Sequence, residues 1–284
     1  MGTALSNGAD YSSSSIFLAN QQEALNKDGH QNWHRLVLHE FSSSKQFEAV
    51  IHKYETWSEL SEFPEPEYRG VRGQGDIEAN RERAARRAKK KIRHACKSAS
   101  FDRMLTLTTR DAIFDRAQFQ RMIEKFIRLV RKATGDAMPY VLTLEKHDSE
   151  KTSEEKRGSL HAHIAVRGRQ NYKLLQTIWN FRICSGRGYV RVSNGSKSMK
   201  PSRIAGYISK YISKTFSEVE ANKKSYWISH NIAAPVRTIK LFKTLSEALQ
   251  WLAEYWKTSG NQISFDSRHC WQDSSLGVFW FTSD

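Results

Sequence analysis

Three short runs do most to limit what this chain can fold into. Met104-Leu-Thr-Leu-Thr108, Tyr140-Val-Leu-Thr-Leu-Glu145 and Leu160-His-Ala-His-Ile-Ala-Val166 alternate apolar with polar side chains, the period-two pattern of strands that bury one face. Sorted by face, Leu105 and Leu107 oppose Thr106 and Thr108, and Leu142 and Leu144 oppose Thr143 and Glu145. In the third run Ala162, Ile164 and Val166 oppose His161 and His163. Between the first two runs the spacing predicts an amphipathic helix from Asp115 to Ala133, with Phe119, Met122, Ile123, Phe126, Ile127 and Val130 on its apolar side. The fold class is therefore α+β: a central antiparallel sheet with helices on one face and a polar face left for chemistry.

Around this centre the chain divides into four stretches. Residues 1–30, rich in Ser, Asn, Gln and Gly, are too polar to pack and read as a disordered tail. Residues 31–75 form an N-terminal β-element, in which His34–Phe41 and Phe47–Tyr54 read as a hairpin and Pro64 and Pro66 mark a loop. Residues 76–243 carry the central sheet, with a further short helix at Lys173–Trp179, strands at Gly188–Val192 and Val236–Phe242, and a helix from Arg203 to Phe216. Residues 244–284 form a C-terminal extension, opened by the capping box Thr244-Leu-Ser-Glu247 and closed by the aromatic run Val278-Phe-Trp-Phe281.

Charge speaks to partners rather than fold. Lys and Arg number 45 against 30 Asp and Glu, a formal +15, which suits a polyanion. The excess peaks in a helix predicted from Asp76 to Lys97, where Arg81, Arg83, Arg86, Arg87, Lys89, Lys90, Lys91, Arg93 and Lys97 surround a thin apolar edge of Ala84, Ala88, Ile92 and Cys96. Such a helix either faces solvent or lies along phosphates. Three scattered cysteines, Cys96, Cys184 and Cys270, suggest neither a disulfide framework nor a thiolate zinc site and fit a reducing cytoplasm. No apolar run is long enough to span a bilayer, and no secretory leader opens the chain. Met1–Ser6 matches the loose myristoylation pattern, which is too short to carry weight. A GxxxxGK phosphate loop is absent from the sequence, so no nucleotide cofactor is expected.

Two constellations carry the chemistry. His161 and His163 point the same way from one strand, and Glu145 occupies the polar face of another. Two imidazoles and a carboxylate suit a divalent ion that must also hold substrate, Mg²⁺ or Mn²⁺ where phosphate is involved. The plainer reading of Glu145 is a surface carboxylate paired with Lys146 or Arg157. The second constellation is Tyr207-Ile-Ser-Lys-Tyr211-Ile-Ser-Lys214. At helical spacing Tyr207 and Tyr211 share a face, Ile204, Ile208 and Ile212 make a neighbouring stripe, and Lys210 and Lys214 flank the phenols. Taken alone, a tyrosine pair at this spacing is more often a half-buried packing feature.

Taken in order, the strand Met104–Thr108, the pair His161-Ala-His163 and the double-tyrosine helix resemble the three motifs of HUH endonucleases, closest to the two-tyrosine rolling-circle replication initiators of bacteriophages and plasmids. The resemblance covers residues 76 to 240, including the basic helix and the Glu145…Gly158…His161 spacing. It implies a ferredoxin-like or RRM-like sheet and a metal held by His161, His163 and Glu145. It further implies a tyrosine nucleophile, Tyr207 or Tyr211, assisted by Lys210 and Lys214, and the basic residues of the preceding helix on DNA. The implied activity is a nick in single-stranded origin DNA inside a bacterial host, with the protein left on the 5′ end and a host helicase and polymerase as further partners. A non-catalytic single-strand-binding module, and an HUH transposase or relaxase, are the alternative readings.

Overall fold

The computed structural model describes residues 32–55, 76–147, 154, 157–193, 198–218, 226–258, 270–273 and 277–283; for residues 32, 54–55, 77 and 211–218 it describes the backbone alone. The N-terminal tail and the loop of Pro64 and Pro66 lie outside the described residues. The chain forms two compact units, one from residues 1–39, 47–69 and 237–283, the other from 40–46 and 70–236. Among the described residues no helix is long and apolar enough to cross a membrane.

The first unit is a sheet backed by a helix. Strands β1 (Asn32–Phe41), β2 (Gln46–Glu55), β8 (Val236–Phe242), β9 (Cys270–Asp273) and β10 (Val278–Thr282) lie in the order β8-β1-β2-β10-β9. Helix α5 (Leu245–Thr258) buries Ala248, Leu252 and Trp256 against Leu36, Leu38, Phe47, Ala49, Ile51 and Phe281. Thr244 caps the helix N-terminus as the sequence predicts, accepting from the Glu247 N–H (3.1 Å), while the Glu247 carboxylate reaches one residue past the expected capping-box partner and accepts from the Lys243 N–H (3.1 Å).

The second unit holds the alternating runs. Strands β3 (Arg103–Thr109), β4 (Val141–Lys146), β5 (Leu160–Val166), β6 (Gly188–Val192) and β7 (Tyr226–Ile228) form an antiparallel sheet in the order β6-β3-β5-β4-β7. On one face Leu105, Leu107, Leu142, Leu144, Ala162, Ile164 and Val166 meet helix α2 (Arg116–Thr134) through Phe119, Ile123, Phe126, Ile127 and Val130. Asp115 caps α2 by accepting from the Ala117 N–H (2.8 Å), and Gly135, with φ of 69°, ends it in the left-handed conformation that favours glycine. Helix α3 (Tyr172–Thr177) widens into a π-helical turn at Ile178–Ile183. That turn inserts Trp179 edge-on against Phe119 and Phe126, with its indole N–H donating to the Thr108 carbonyl (2.7 Å).

The sequence leaves the opposite face free of helices, and here the structure differs. Met104, Ala165 and Val141 are direct cross-strand neighbours at polar-face positions. They are covered by α1 (Ile77–Ser98), through Ala88, Ile92 and Cys96, and by α4 (Pro201–Glu218), through Ile204, Ala205 and Ile208. The alternation breaks at one end of each strand, where the polar face turns apolar to carry these helices. Two helices thus roof one end of the face and leave the other to Thr106, Thr143, Glu145, His161 and His163.

Trp179 joins the helical layer to β3, so Trp179→Ala is expected to cost about 3–5 kcal/mol, read from urea unfolding of the second unit by far-UV circular dichroism. A cost below about 1 kcal/mol would show that the indole is not what ties the layers together.

Candidate active site

Strand register sorts the open face into rows. Arg191, Thr106, His163, Thr143 and Tyr226 are successive cross-strand partners from β6 to β7, and Tyr189 opposite Thr108 and Glu145 opposite His161 stand in the next row. Because opposed residues point to the same side of a sheet, both histidines and Glu145 emerge together. Glu145 Oε2 lies 2.7 Å from His161 Nε2 and 2.9 Å from His163 Nε2. The two rings stand nearly perpendicular, 4.7 Å between centres. Both histidines are buried, His163 to 4% exposure.

One carboxylate oxygen therefore serves two imidazole nitrogens. Nitrogen lone pairs aimed at an anionic oxygen repel, so each short contact needs either a ring N–H that donates to Glu145 Oε2 or a cation between the atoms. Burial taken alone raises the Glu145 carboxyl, but hydrogen bonds from His161 and His163, reinforced by their charge, outweigh it and bring it down to about 2. Burial pushes the His163 imidazole down, against the pull of its hydrogen bond to Glu145. An ionised carboxylate beside a neutral imidazole is the state in which such a set binds metal.

Three ligand atoms within 4.8 Å of one another, from Glu145, His161 and His163, could hold one ion. The support around them is uneven. His163 Nδ1 lies 3.3 Å from Thr106 Oγ1, and in the tautomer that donates this bond Nε2 presents its lone pair inward. His161 Nδ1 is buried with no hydrogen-bond partner among the described residues. Both histidines approach the Glu145 carboxylate within ion-pair distance.

Above the trio stands α4. Ile204 and Ile208 are buried in the roof, as their spacing predicts, while Tyr207 is 48% exposed and turns its ring edge-on to His163, 6.2 Å between centres and 81° between planes. Lys210 is exposed on the same helix and is joined to none of these residues by a hydrogen bond or ion pair. The side chains of Tyr211 and Lys214 lie outside the described residues.

The neighbourhood also contains His147, which the alternating pattern did not single out. Its ring centre is 4.2 Å from that of His161. The His147 N–H donates to the Ser159 carbonyl (2.7 Å), extending the β4–β5 ladder past Lys146. A period-two reading carried one step beyond Glu145 would have put His147 on the same face.

On α1 the expected cations divide. Arg83, Arg86, Arg87, Lys90 and Lys91 are exposed, whereas Arg81, Lys89 and Arg93 are half-buried. Arg81 approaches Glu78 (3.9 Å) and Arg86 approaches Glu82 (3.7 Å), weak surface pairs that leave both near solvent. Lys97, counted with the basic helix in the sequence, is 1% exposed and cannot meet a ligand in solution. The cysteines Cys96, Cys184 and Cys270 are all unbridged.

Residues 102–216 match the family model described as "Replication-associated protein ORF2/G2P". Over that span, which runs from the start of β3 into α4 and contains Glu145, His161, His163, Tyr207 and Tyr211, the chain is similar to replication-associated proteins. Neither a curated protein nor a solved structure matches the chain.

A trio that could hold one ion makes a direct prediction. Titration with Mn²⁺, followed by electron paramagnetic resonance, should show one tight site that His163→Ala or Glu145→Ala abolishes. Thr106→Val, which removes only the support to His163 Nδ1, should weaken it by about tenfold to a hundredfold. Equal Mn²⁺ affinity in the wild type and His163→Ala would place the ion elsewhere.

Proposed function

We propose that this protein initiates rolling-circle replication by nicking single-stranded origin DNA and staying attached to the new 5′ end. The observation that carries this reading is a phenol, Tyr207, whose ring lies edge-on to a buried ligand histidine at 6.2 Å between centres. Hydrolysis by activated water would use the histidines and carboxylate and have no need of a tyrosine there.

Glu145, His161 and His163 would hold Mg²⁺ or Mn²⁺, which would supply Lewis-acid stabilisation of the charge that develops on a phosphodiester under attack. Tyr207 or Tyr211 supplies the nucleophile. Its Oη bonds to phosphorus while the bond to the 3′-oxygen breaks; the phenol proton passes to solvent, and the departing oxygen takes one up to become a free 3′-hydroxyl. A phosphodiester is exchanged for a phosphotyrosine ester, so rejoining needs no added energy source. Lys210 and Lys214, one turn apart on the tyrosine helix, are the cations in line to favour phenolate. With two tyrosines on one helix, a second cleavage can occur before the first link is resolved. The 3′-hydroxyl then primes synthesis by a host polymerase, with a host helicase separating strands in the bacterial cytoplasm.

Affinity for the strand comes from elsewhere. Arg81, Arg83, Arg86, Arg87, Lys89, Lys90, Lys91 and Arg93 on α1 supply phosphate contacts that depend on charge and not on sequence.

Mixing the protein with single-stranded oligonucleotides tiled over its own replicon and Mn²⁺ should give a covalent adduct on a denaturing gel, with the nucleotide on Tyr207 or Tyr211 by mass spectrometry. Replacing both tyrosines with Phe should leave a folded, Mn²⁺-binding protein that forms no adduct, and His161→Ala with His163→Ala should abolish nicking while sparing DNA binding. Cleavage that leaves a free 5′-phosphate, or a link at another tyrosine, would overturn the mechanism.

Neutralising Arg86, Arg87, Lys90 and Lys91 together should weaken binding to every single strand and flatten the dependence of log affinity on log salt by up to about 3. An unchanged slope would mean that α1 faces only solvent.

A further inference from the structure

The rows that carry Glu145 and the histidines do not stop at the trio. Each continues across β3 to the edge strand β6, where Tyr189 stands opposite Thr108 and Arg191 opposite Thr106. Both side chains therefore emerge on the face that bears His161 and His163. With neighbouring strands about 4.8 Å apart, Tyr189 and Arg191 lie roughly 10 Å from the ligand histidines. Tyr189 is 55% exposed and Arg191 is exposed as well.

A lone exposed tyrosine on an edge strand is ordinary, but the strand beneath this one is unusually well fixed. The Gly188 N–H donates to Asn180 Oδ1 (2.9 Å), the Val190 N–H to Gln176 Oε1 (2.8 Å), and Gln176 Nε2 to the Gly188 carbonyl (3.0 Å). Side chains from α3 and its π-helical turn thus occupy backbone groups that an edge strand would otherwise offer to solvent or to another chain. Close packing secures the same point, since a Cβ on Gly188 would lie 2.8 Å from Trp179 Cδ1 and 2.9 Å from Cys184 Sγ. On the inner side Thr108 Oγ1 donates to the Tyr189 carbonyl (3.3 Å). The result is an aromatic ring and a guanidinium on a rigid mount, level with the ligand rows.

We propose that β6 is the strand-holding edge of this site: Tyr189 stacks on an unpaired base and Arg191 binds a phosphate of single-stranded DNA that crosses β3 to reach Glu145, His161 and His163. The proposal rests on the nicking reading for its choice of polymer. Single-stranded DNA is the occupant because its bases are free to stack on a phenol, its phosphates complement both Arg191 and the chain's formal +15, and a duplex would hide its base faces. Tyr189 and Arg191 are positioning residues here, distinct from the nucleophile on α4.

The test separates binding from cleavage. In EDTA, fluorescence anisotropy with a labelled single-stranded origin oligonucleotide should show Tyr189→Ala binding about tenfold more weakly, while Tyr189→Phe, which keeps the ring, binds as the wild type. Arg191→Gln should reduce the log–log salt slope by about 0.7, one phosphate contact on a single strand. Mn²⁺ affinity of both variants should equal that of the wild type, which excludes misfolding as the cause. In Mn²⁺, the two losses should appear in KM for adduct formation more than in kcat. If Tyr189→Ala and Arg191→Gln bind the strand within twofold of the wild type, the proposal is overturned whether or not the adduct forms. Were the wild type to form no adduct while Tyr189→Ala still lost binding, the strand-holding edge would stand and the nicking mechanism would fall. A loss of binding in Tyr189→Phe equal to that in Tyr189→Ala would also overturn the stacking role.

Discussion

Two buried imidazoles and one carboxylate oxygen cannot share so small a volume unless a ring proton or a cation lies between each nitrogen and the oxygen, and the second unit is arranged around that requirement. Glu145 Oε2, 2.7 Å and 2.9 Å from the two Nε2 atoms, is the point at which the sheet converges. Such a cluster on a flexible support would relax outward to water, because desolvating unpaired charge costs several kcal/mol. Here relaxation is opposed from behind, where Leu142, Leu144, Ala162 and Ile164 anchor β4 and β5 in the core of α2. It is opposed from the side as well, where Thr106 meets His163. The packing of one face thus fixes the chemistry of the other.

Much of this is legible in the sequence, for a physical reason: a sheet buried on one face forces a period of two, and that period alone puts His161 and His163 on one side of their strand and Glu145 on the polar side of its own. What it could not show was the pairing of the strands, since Glu145 meets His161 across a loop whose length fixes no register. Nor did it show the roof. Met104, Val141 and Ala165 sit at polar positions but are apolar because α1 and α4 cover them, and a rule of strict alternation passes over such exceptions. Lys97 departs from its sequence expectation for a related reason. Its charge grouped it with α1's exposed cations, while its place in the helix turned it inward to 1% exposure. The pairing of β2 with β10, Ala49 opposite Phe281, joins ends of the chain that no local pattern connects.

The roof also explains why the phenol can stand where it does. Helix α4 is pinned by Ile204, Ala205 and Ile208 over the apolar end of the face, so the residue between them, Tyr207, is carried to the boundary where the apolar row gives way to the polar one. Residues two apart along a strand differ by about 6.7 Å in height, and His163 and Ala165 occupy those successive rows. A helix seated on Ala165 therefore brings a side chain over His163 with no loop needed to reach it. Mounting both groups on packed elements holds their geometry more closely than surface loops would.

Charge completes the division of labour. On the nicking function proposed above, a carboxylate with a divalent ion would leave a net charge of about +1 at the trio, enough to favour one phosphate but not to hold a strand. The remaining attraction must come from dispersed cations, the exposed face of α1 among them. Salt screens charges at such surfaces over about 8 Å at physiological ionic strength, whereas buried groups are screened far less. Rising salt should therefore loosen the strand long before it disturbs the buried centre, so that affinity and chemistry in this fold answer to different residues and different conditions.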